Sequence, residues 1–150
     1  MRDFLSIARF YAARPNDWPL APRFDPTSRW YHRLLADDQH EVWLLTWLPG
    51  QGTDLHDHGD SAGAFVVVTG ALTETVVAET GNGIRQVRNE FAAGKGHGFV
   101  RHHIHQVTNG SDRPTVSLHV YGPALTTMNR YRLDGDRLTL TEVARAGASW

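Results

Sequence analysis

The chain contains no cysteine, which excludes disulfides, thiolate metal ligands and a cysteine nucleophile. Lysine is almost as scarce: Lys95 stands alone among 15 basic residues, and 16 acidic residues nearly balance them. No Lys/Arg-rich run occurs, so nothing points to a nucleic-acid surface or a polybasic membrane patch. The longest apolar runs are about six or seven residues, far short of the ~20 that span a bilayer. Met1-Arg2-Asp3-Phe4-Leu5 carries an acid and lacks a long apolar stretch, so it does not read as a signal peptide. A cytoplasmic setting is the expectation. With 150 residues, one domain with one core is expected.

Histidine is what the chain has in excess. There are nine, and His97, His102, His103, His105 and His119 fall within 23 positions. Around them, short β-branched and aromatic runs alternate with glycine turns. Val42 to Leu48, Ala64 to Thr69, Leu72 to Ala78, Ile84 to Glu90 and Thr115 to Tyr121 read as strands, with a turn at Gly81-Asn82-Gly83. Arg130 to Leu133 and Arg137 to Val143 suggest a last hairpin. Before Trp30 the pattern differs. Phe4, Ile7, Ala8 and Tyr11 recur at helical spacing within Asp3 to Arg14, and Pro15 ends the pattern. Four prolines between Pro15 and Pro26 then indicate an irregular wrapping segment. The expectation is an all-β sandwich or barrel over residues 30–150, preceded by a short helix and wrapping segment over residues 1–29.

Two constellations carry chemistry. His56 and His58 stand at i and i+2, so on a strand both rings leave one face. His105, far downstream, can complete a set of three imidazoles. Three neutral nitrogens leave metal positions open for substrate and dioxygen, although imidazoles bind zinc, nickel, copper and iron alike. A lone strand histidine is most often a surface or core residue; the paired spacing and the distant partner shift the balance toward a metal. By parity His103 shares the face of His105, whereas His32, His40 and His97 read as surface or loop residues. The second constellation is Ser117, His119 and Tyr121, at i, i+2 and i+4 of one strand. Val116, Leu118 and Val120 face the other way. An unsatisfied buried hydroxyl costs roughly 1–3 kcal/mol. A relay of serine to imidazole to phenol satisfies all three groups and fixes the phenol over a metal.

The spacing Gly50, His56, His58, Gly63, Gly70 resembles the first motif of the cupin superfamily, with Gly63 where many cupins place a glutamate ligand. Gly94, His105 and Asn109 resemble the second motif. With His56-Asp57-His58-x-Asp60-Ser61, His105 with Val107 and Asn109, and Ser117-Leu118-His119-x-Tyr121, the chain resembles the cysteine dioxygenase family of thiol dioxygenases from about Trp30 to Met128. The resemblance implies a cupin β-barrel (a double-stranded β-helix) and ferrous iron, Fe(II), at His56, His58 and His105. It also implies a catalytic triad of Ser117, His119 and Tyr121. Arg33 is similar to the family's substrate-carboxylate arginine, and Tyr31 to its companion tyrosine. The implied reaction oxidises L-cysteine with dioxygen to cysteine sulfinic acid, with a small thiol and dioxygen as partners. Animal members carry, at the position of Gly63, a cysteine bonded to the active-site tyrosine; here Tyr121 must act as an unmodified phenol. Two alternatives stay open: a dioxygenase of another small thiol, such as 3-mercaptopropionate or cysteamine, and a non-catalytic cupin that binds a metal or small molecule.

Overall fold

Helix α1 (Phe4–Ala12) opens the computed structural model, which describes residues 3–145. Asp3 caps it by accepting a hydrogen bond from the Ser6 N–H at 3.1 Å. The helix is shorter than the Asp3–Arg14 span read from periodicity. Pro15 has no N–H to continue it, and Pro15–Asp17 form a single 3-10 turn. Phe4, Leu5, Ile7, Ala8 and Tyr11 press onto Val42, Leu44, Val66, Leu118 and Val120. The helix therefore covers the outer face of a sheet that would otherwise be exposed hydrocarbon.

Eleven strands follow among the described residues: β1 (Trp30–Ala36), β2 (Glu41–Trp47), β3 (Leu55–Asp57), β4 (Ala62–Thr69), β5 (Ala71–Thr80), β6 (Gly83–Ala92), β7 (Gly96–Phe99), β8 (Ile104–Thr108), β9 (Thr115–Gly122), β10 (Thr127–Asp134) and β11 (Arg137–Arg145). They form two antiparallel sheets, in the orders β1-β2-β9-β4-β7 and β11-β10-β3-β8-β5-β6. From β2 to β10 every step except β5 to β6 crosses between the sheets, which gives the cupin barrel expected from the sequence. Gly70 makes the crossing from β4 to β5 at φ 86°, and a Cβ there would lie 2.2 Å from Thr115 Oγ1. Only glycine fits both requirements.

Strand β9 is buried along its whole length. Val116, Leu118 and Val120 belong to the core under α1, while Ser117, His119 and Tyr121 face the barrel interior. The period-two reading of this strand matches the fold. Each large aliphatic side chain so buried contributes roughly 1.5–3 kcal/mol. That apolar packing is what holds the polar face of β9 in place.

Candidate active site

Cross-strand pairing builds the histidine cluster. His56 on β3 stands opposite His105 on β8, and His58 follows just past the end of β3. Their ring centroids are 4.7 Å apart for His56–His105, 4.8 Å for His56–His58 and 5.1 Å for His58–His105. One nitrogen from each lies within 4.8 Å of the other two, so a single ion can reach all three. All three rings are buried. Burial, followed by the neighbouring imidazoles, pushes His56 and His58 well below the usual 6.5, and burial likewise lowers His105. The rings are therefore neutral at physiological pH, as metal ligands must be.

The outer nitrogens are anchored. His56 Nδ1 donates to the Asp54 carbonyl at 2.7 Å, and His105 Nδ1 lies 2.6 Å from Glu74 Oε2. These bonds place the proton on Nδ1 and leave Nε2 with its lone pair for a ligand. The His58 ring is stacked on Phe99 at 5.0 Å, and its Nδ1 has no hydrogen-bond partner among the described residues. A buried imidazole with nothing to bond to is costly unless it serves something absent from the protein chain. The donor set thus fits a divalent transition metal. Asp57, between the two histidines, faces away as its parity requires. It accepts from the Gly59 N–H at 2.9 Å, Asn129 at 2.9 Å and the Tyr131 hydroxyl at 2.7 Å, and so fixes the turn that carries His58.

The β9 side chains meet the same cavity. Ser117 Oγ lies 2.8 Å from His119 Nε2, and His119 Nδ1 lies a longer 3.4 Å from the Tyr121 hydroxyl. Trp47 Nε1 donates to Ser117 Oγ at 2.8 Å, which extends the relay by one residue beyond the sequence reading. Burial lowers His119 to about 3 and raises Tyr121 above its ordinary 10. The cavity is lined by the three clustered histidines, His119, Tyr121, Trp47, Met128 and two arginines, Arg29 and Arg130. The space open to water centres is about 20 Å³.

The arginine on the wall is not the one expected. Arg33 leaves β1 toward Glu41 at 3.6 Å and the Trp43 ring at 5.9 Å, with 54% of its side chain exposed. It does not line the cavity, and neither does Tyr31, which packs edge-on against Trp43 at 5.9 Å. Arg29, one residue before β1, takes the place. Its guanidinium lies 5.0 Å over the Trp47 ring, and no carboxylate pairs with it among the described residues. Arg130, by contrast, is engaged by Asp54 at 3.3 Å and Glu142 at 3.5 Å. Arg29 and Arg33 share a strand parity, but Glu41 and Trp43 hold Arg33 aside.

A family model described as Cysteine dioxygenase type I matches residues 2–134. The chain belongs to that family. It is 27% identical to Cysteine dioxygenase type 1 of Bos taurus over 135 residues, which cover 84% of this chain and 66% of the bovine protein. The chain thus spans just under two thirds of that relative's length. Among solved structures, the TT1209 protein of Thermus thermophilus matches with a TM-score of 0.60 at 21% identity, covering 69% of this chain and 90% of that one. A cupin superfamily protein of Desulfitobacterium hafniense matches with a TM-score of 0.55 at 10% identity, covering 66% of this chain and 81% of that one. At such identities the structures speak for the fold alone.

Within this cysteine dioxygenase family member, two polar residues escaped the sequence reading. Glu74 on β5 is fully buried and takes hydrogen bonds from His97, His103 and His105. Burial alone would raise it, but those three imidazoles outweigh burial and hold its carboxyl well below 4.5. The signal was present: Glu74 is the one acid at an inward position between Leu72 and Val76. His97, read as a surface or loop residue, lies on β7 and bonds Glu74 through Nδ1 at 2.6 Å. Flanking Gly96 and Gly98 left β7 without a legible period. His40 is also buried rather than at the surface, packed 3.5 Å from Asp37.

Proposed function

We propose that the chain is a thiol dioxygenase that uses Fe(II) held by His56, His58 and His105 to oxidise L-cysteine with dioxygen to cysteine sulfinic acid. The observation that carries this reading is the meeting of three kinds of group in one small buried cavity. Three neutral imidazoles face one point, a guanidinium with no carboxylate bonded to it among the described residues lies beside them, and a relay-held phenol completes the wall. Family membership supports the same chemistry.

The imidazole set brings no negative charge of its own, so an anionic thiolate can join it without excess charge. When bound, ferrous iron supplies a site that lowers a thiol's pKa and brings sulfur and dioxygen together. Arg29 offers two parallel N–H donors to the substrate carboxylate, a geometry that also fixes the direction of the thiol. Tyr121 holds its proton at neutral pH because burial disfavours the phenolate. With Ser117 donating to His119 Nε2, the Nδ1–H points to the phenol oxygen and orients the phenol at the cavity wall. Trp47 donates to one of the serine's two lone pairs and so biases the hydroxyl toward that donor role. Holding the reactants in one orientation supplies much of the rate. The reaction adds both atoms of dioxygen to sulfur, RSH + O₂ giving RSO₂H, and needs no external electron donor.

The test is anaerobic reconstitution with ferrous iron, then oxygen uptake with cysteine, 3-mercaptopropionate and cysteamine, and mass analysis of the products. A gain on cysteine equal to the two oxygen atoms of the balanced reaction, with one dioxygen consumed per product, is the expected result. Tight zinc binding with no oxygen uptake on any thiol would replace the proposal with a non-catalytic cupin. Good turnover of cysteamine, which has no carboxylate, would remove the arginine from the substrate site.

A further inference from the structure

The environment of Glu74 is unusual for a buried acid. Its side chain is 0% exposed, yet no lysine or arginine pairs with it among the described residues. Its contacts are three imidazoles: His97 Nδ1 at 2.6 Å on Oε1, and His103 Nε2 at 3.1 Å and His105 Nδ1 at 2.6 Å on Oε2. A buried charge is tolerated when a cation or metal compensates it. His105 already turns its other nitrogen toward His56 and His58. His97 and His103 take no part in that cavity. They line a separate surface groove with Phe4, Leu5 and Phe99, beside the start of α1.

The oxygen of Glu74 and one nitrogen each of His97 and His103 lie within 4.8 Å of one another. Two imidazoles and one carboxylate are a donor set for zinc, cobalt or nickel rather than for magnesium or calcium. Ligand bonds of about 2.0–2.2 Å place neighbouring donors about 3.3–3.6 Å apart around a tetrahedral ion. Glu74 Oε2 stands 3.1 Å from His103 Nε2 and Oε1 stands 2.6 Å from His97 Nδ1, so an ion requires a small opening at His103 and a larger one, of under an ångström, at His97. His97 has room to retreat, because 39% of its side chain is exposed on the groove. That exposure also provides the entry path. The ring centroids of His97 and His103, and of His103 and His105, are 5.6 Å and 4.9 Å apart, so the two sites adjoin through His105 and Glu74.

We propose that Glu74, His97 and His103 form a second divalent transition-metal site, filled from the groove beside α1 and sharing Glu74 with His105. An ion there displaces the protons of His97 and His103 and supplies the positive charge that the buried carboxylate lacks. It also draws Glu74 away from the Nδ1–H of His105, so occupancy of the outer site loosens the orientation of an inner-site ligand. The outer site stands on its own donor set; only the coupling rests on the three-histidine reading.

The experiment uses the full chain, stripped of metal, loaded with zinc at neutral pH and equilibrated against low free zinc. Metal per chain is then measured by mass spectrometry of the element. Wild type is expected to hold two equivalents, the His97→Ala/His103→Ala double variant one, and His56→Ala one. Cobalt(II) in place of zinc gives a second readout: the double variant keeps one set of visible absorption bands and loses the other. His97→Gln, which keeps volume and polarity, serves where the double variant fails to fold, and is expected to weaken the second equivalent at least tenfold. Wild type saturating at a single equivalent that the double variant keeps would overturn the proposal. So would two equivalents retained at unchanged affinity in a folded His97→Gln or double variant. If His56→Ala keeps both equivalents while the double variant loses one, the outer site stands and the inner assignment fails.

Discussion

Gly63 on β4 sits directly opposite Tyr121 on β9, and the two backbones approach so closely that no side chain fits between them. A Cβ on Gly63 would come within 2.3 Å of the Val120 carbonyl oxygen and 2.9 Å of the Phe99 ring. The Val120 carbonyl is part of the β4–β9 ladder, so it cannot swing aside as a flexible side chain would. Gly63→Cys, which restores the residue that animal members bond to their tyrosine, is therefore expected to destabilise the protein by about 1–3 kcal/mol, the usual cost of forcing volume into a packed interior. Chemical denaturation of the variant checks this. A midpoint equal to that of wild type would mean that β4 and β9 part without cost.

The two arginines near β1 are separable by kinetics. Arg29→Gln is expected to raise the apparent KM for cysteine by roughly 10- to 100-fold, as loss of a charge-assisted pair worth about 1.5–3 kcal/mol implies. Iron content should stay near wild type, because Arg29 is not one of the three imidazole ligands. Arg33→Gln should leave KM within about twofold: its side chain is largely exposed and already faces Glu41 and Trp43. The reverse ranking would restore Arg33 to the substrate site.

How much of this was legible in the sequence varies with the physical signal. Strand β9 was plain because period-two alternation puts hydrocarbon at Val116, Leu118 and Val120 and polar groups at Ser117, His119 and Tyr121. The histidines converge because strand parity aligns His56 with His58, while the pairing with His105 depends on sheet register. That register no local pattern prints; the motif spacing supplied it. Arg29 on the cavity wall was not legible because residue type cannot choose among many arginines, and the choice of Arg33 rested on the family resemblance. Glu74 was missed for another reason. Its role exists only once β5, β7 and β8 lie close together, bringing His97, His103 and His105 onto one carboxylate.

Removing a ligand should separate the metal from the fold. His56→Ala leaves two imidazoles where three converge, and the expected result is loss of at least about a hundredfold in ferrous affinity together with loss of oxygen uptake. Iron content after reconstitution and desalting measures the first, an oxygen electrode the second. Retention of stoichiometric iron with normal turnover would show that His56, His58 and His105 are not the ligand set. Tyr121→Phe should behave differently. It keeps the packing on His58 at 4.9 Å between ring centroids, so iron stays bound, while kcat falls by about ten- to a hundredfold through loss of the positioned hydroxyl.

Acid should find the relay. His119 is held neutral by burial, with its pKa lowered from 6.5 to about 3. The unfolded chain therefore binds a proton between those two values that the folded chain refuses. Stability from this group is fully present above about 6.5 and falls as the pH drops toward 3, at about 1.4 kcal/mol per pH unit. By about pH 5 the loss from His119 alone is on the order of 2 kcal/mol. Glutamine at position 119 keeps hydrogen-bonding groups but does not titrate, so His119→Gln should lose less stability than wild type between about pH 7 and pH 5, even if it is weaker at neutral pH. Denaturant melts at the two pH values measure the difference. Equal pH dependence in the two proteins would mean that His119 already carries its proton in the native barrel, and the direction of the serine–histidine–tyrosine relay would have to be reversed.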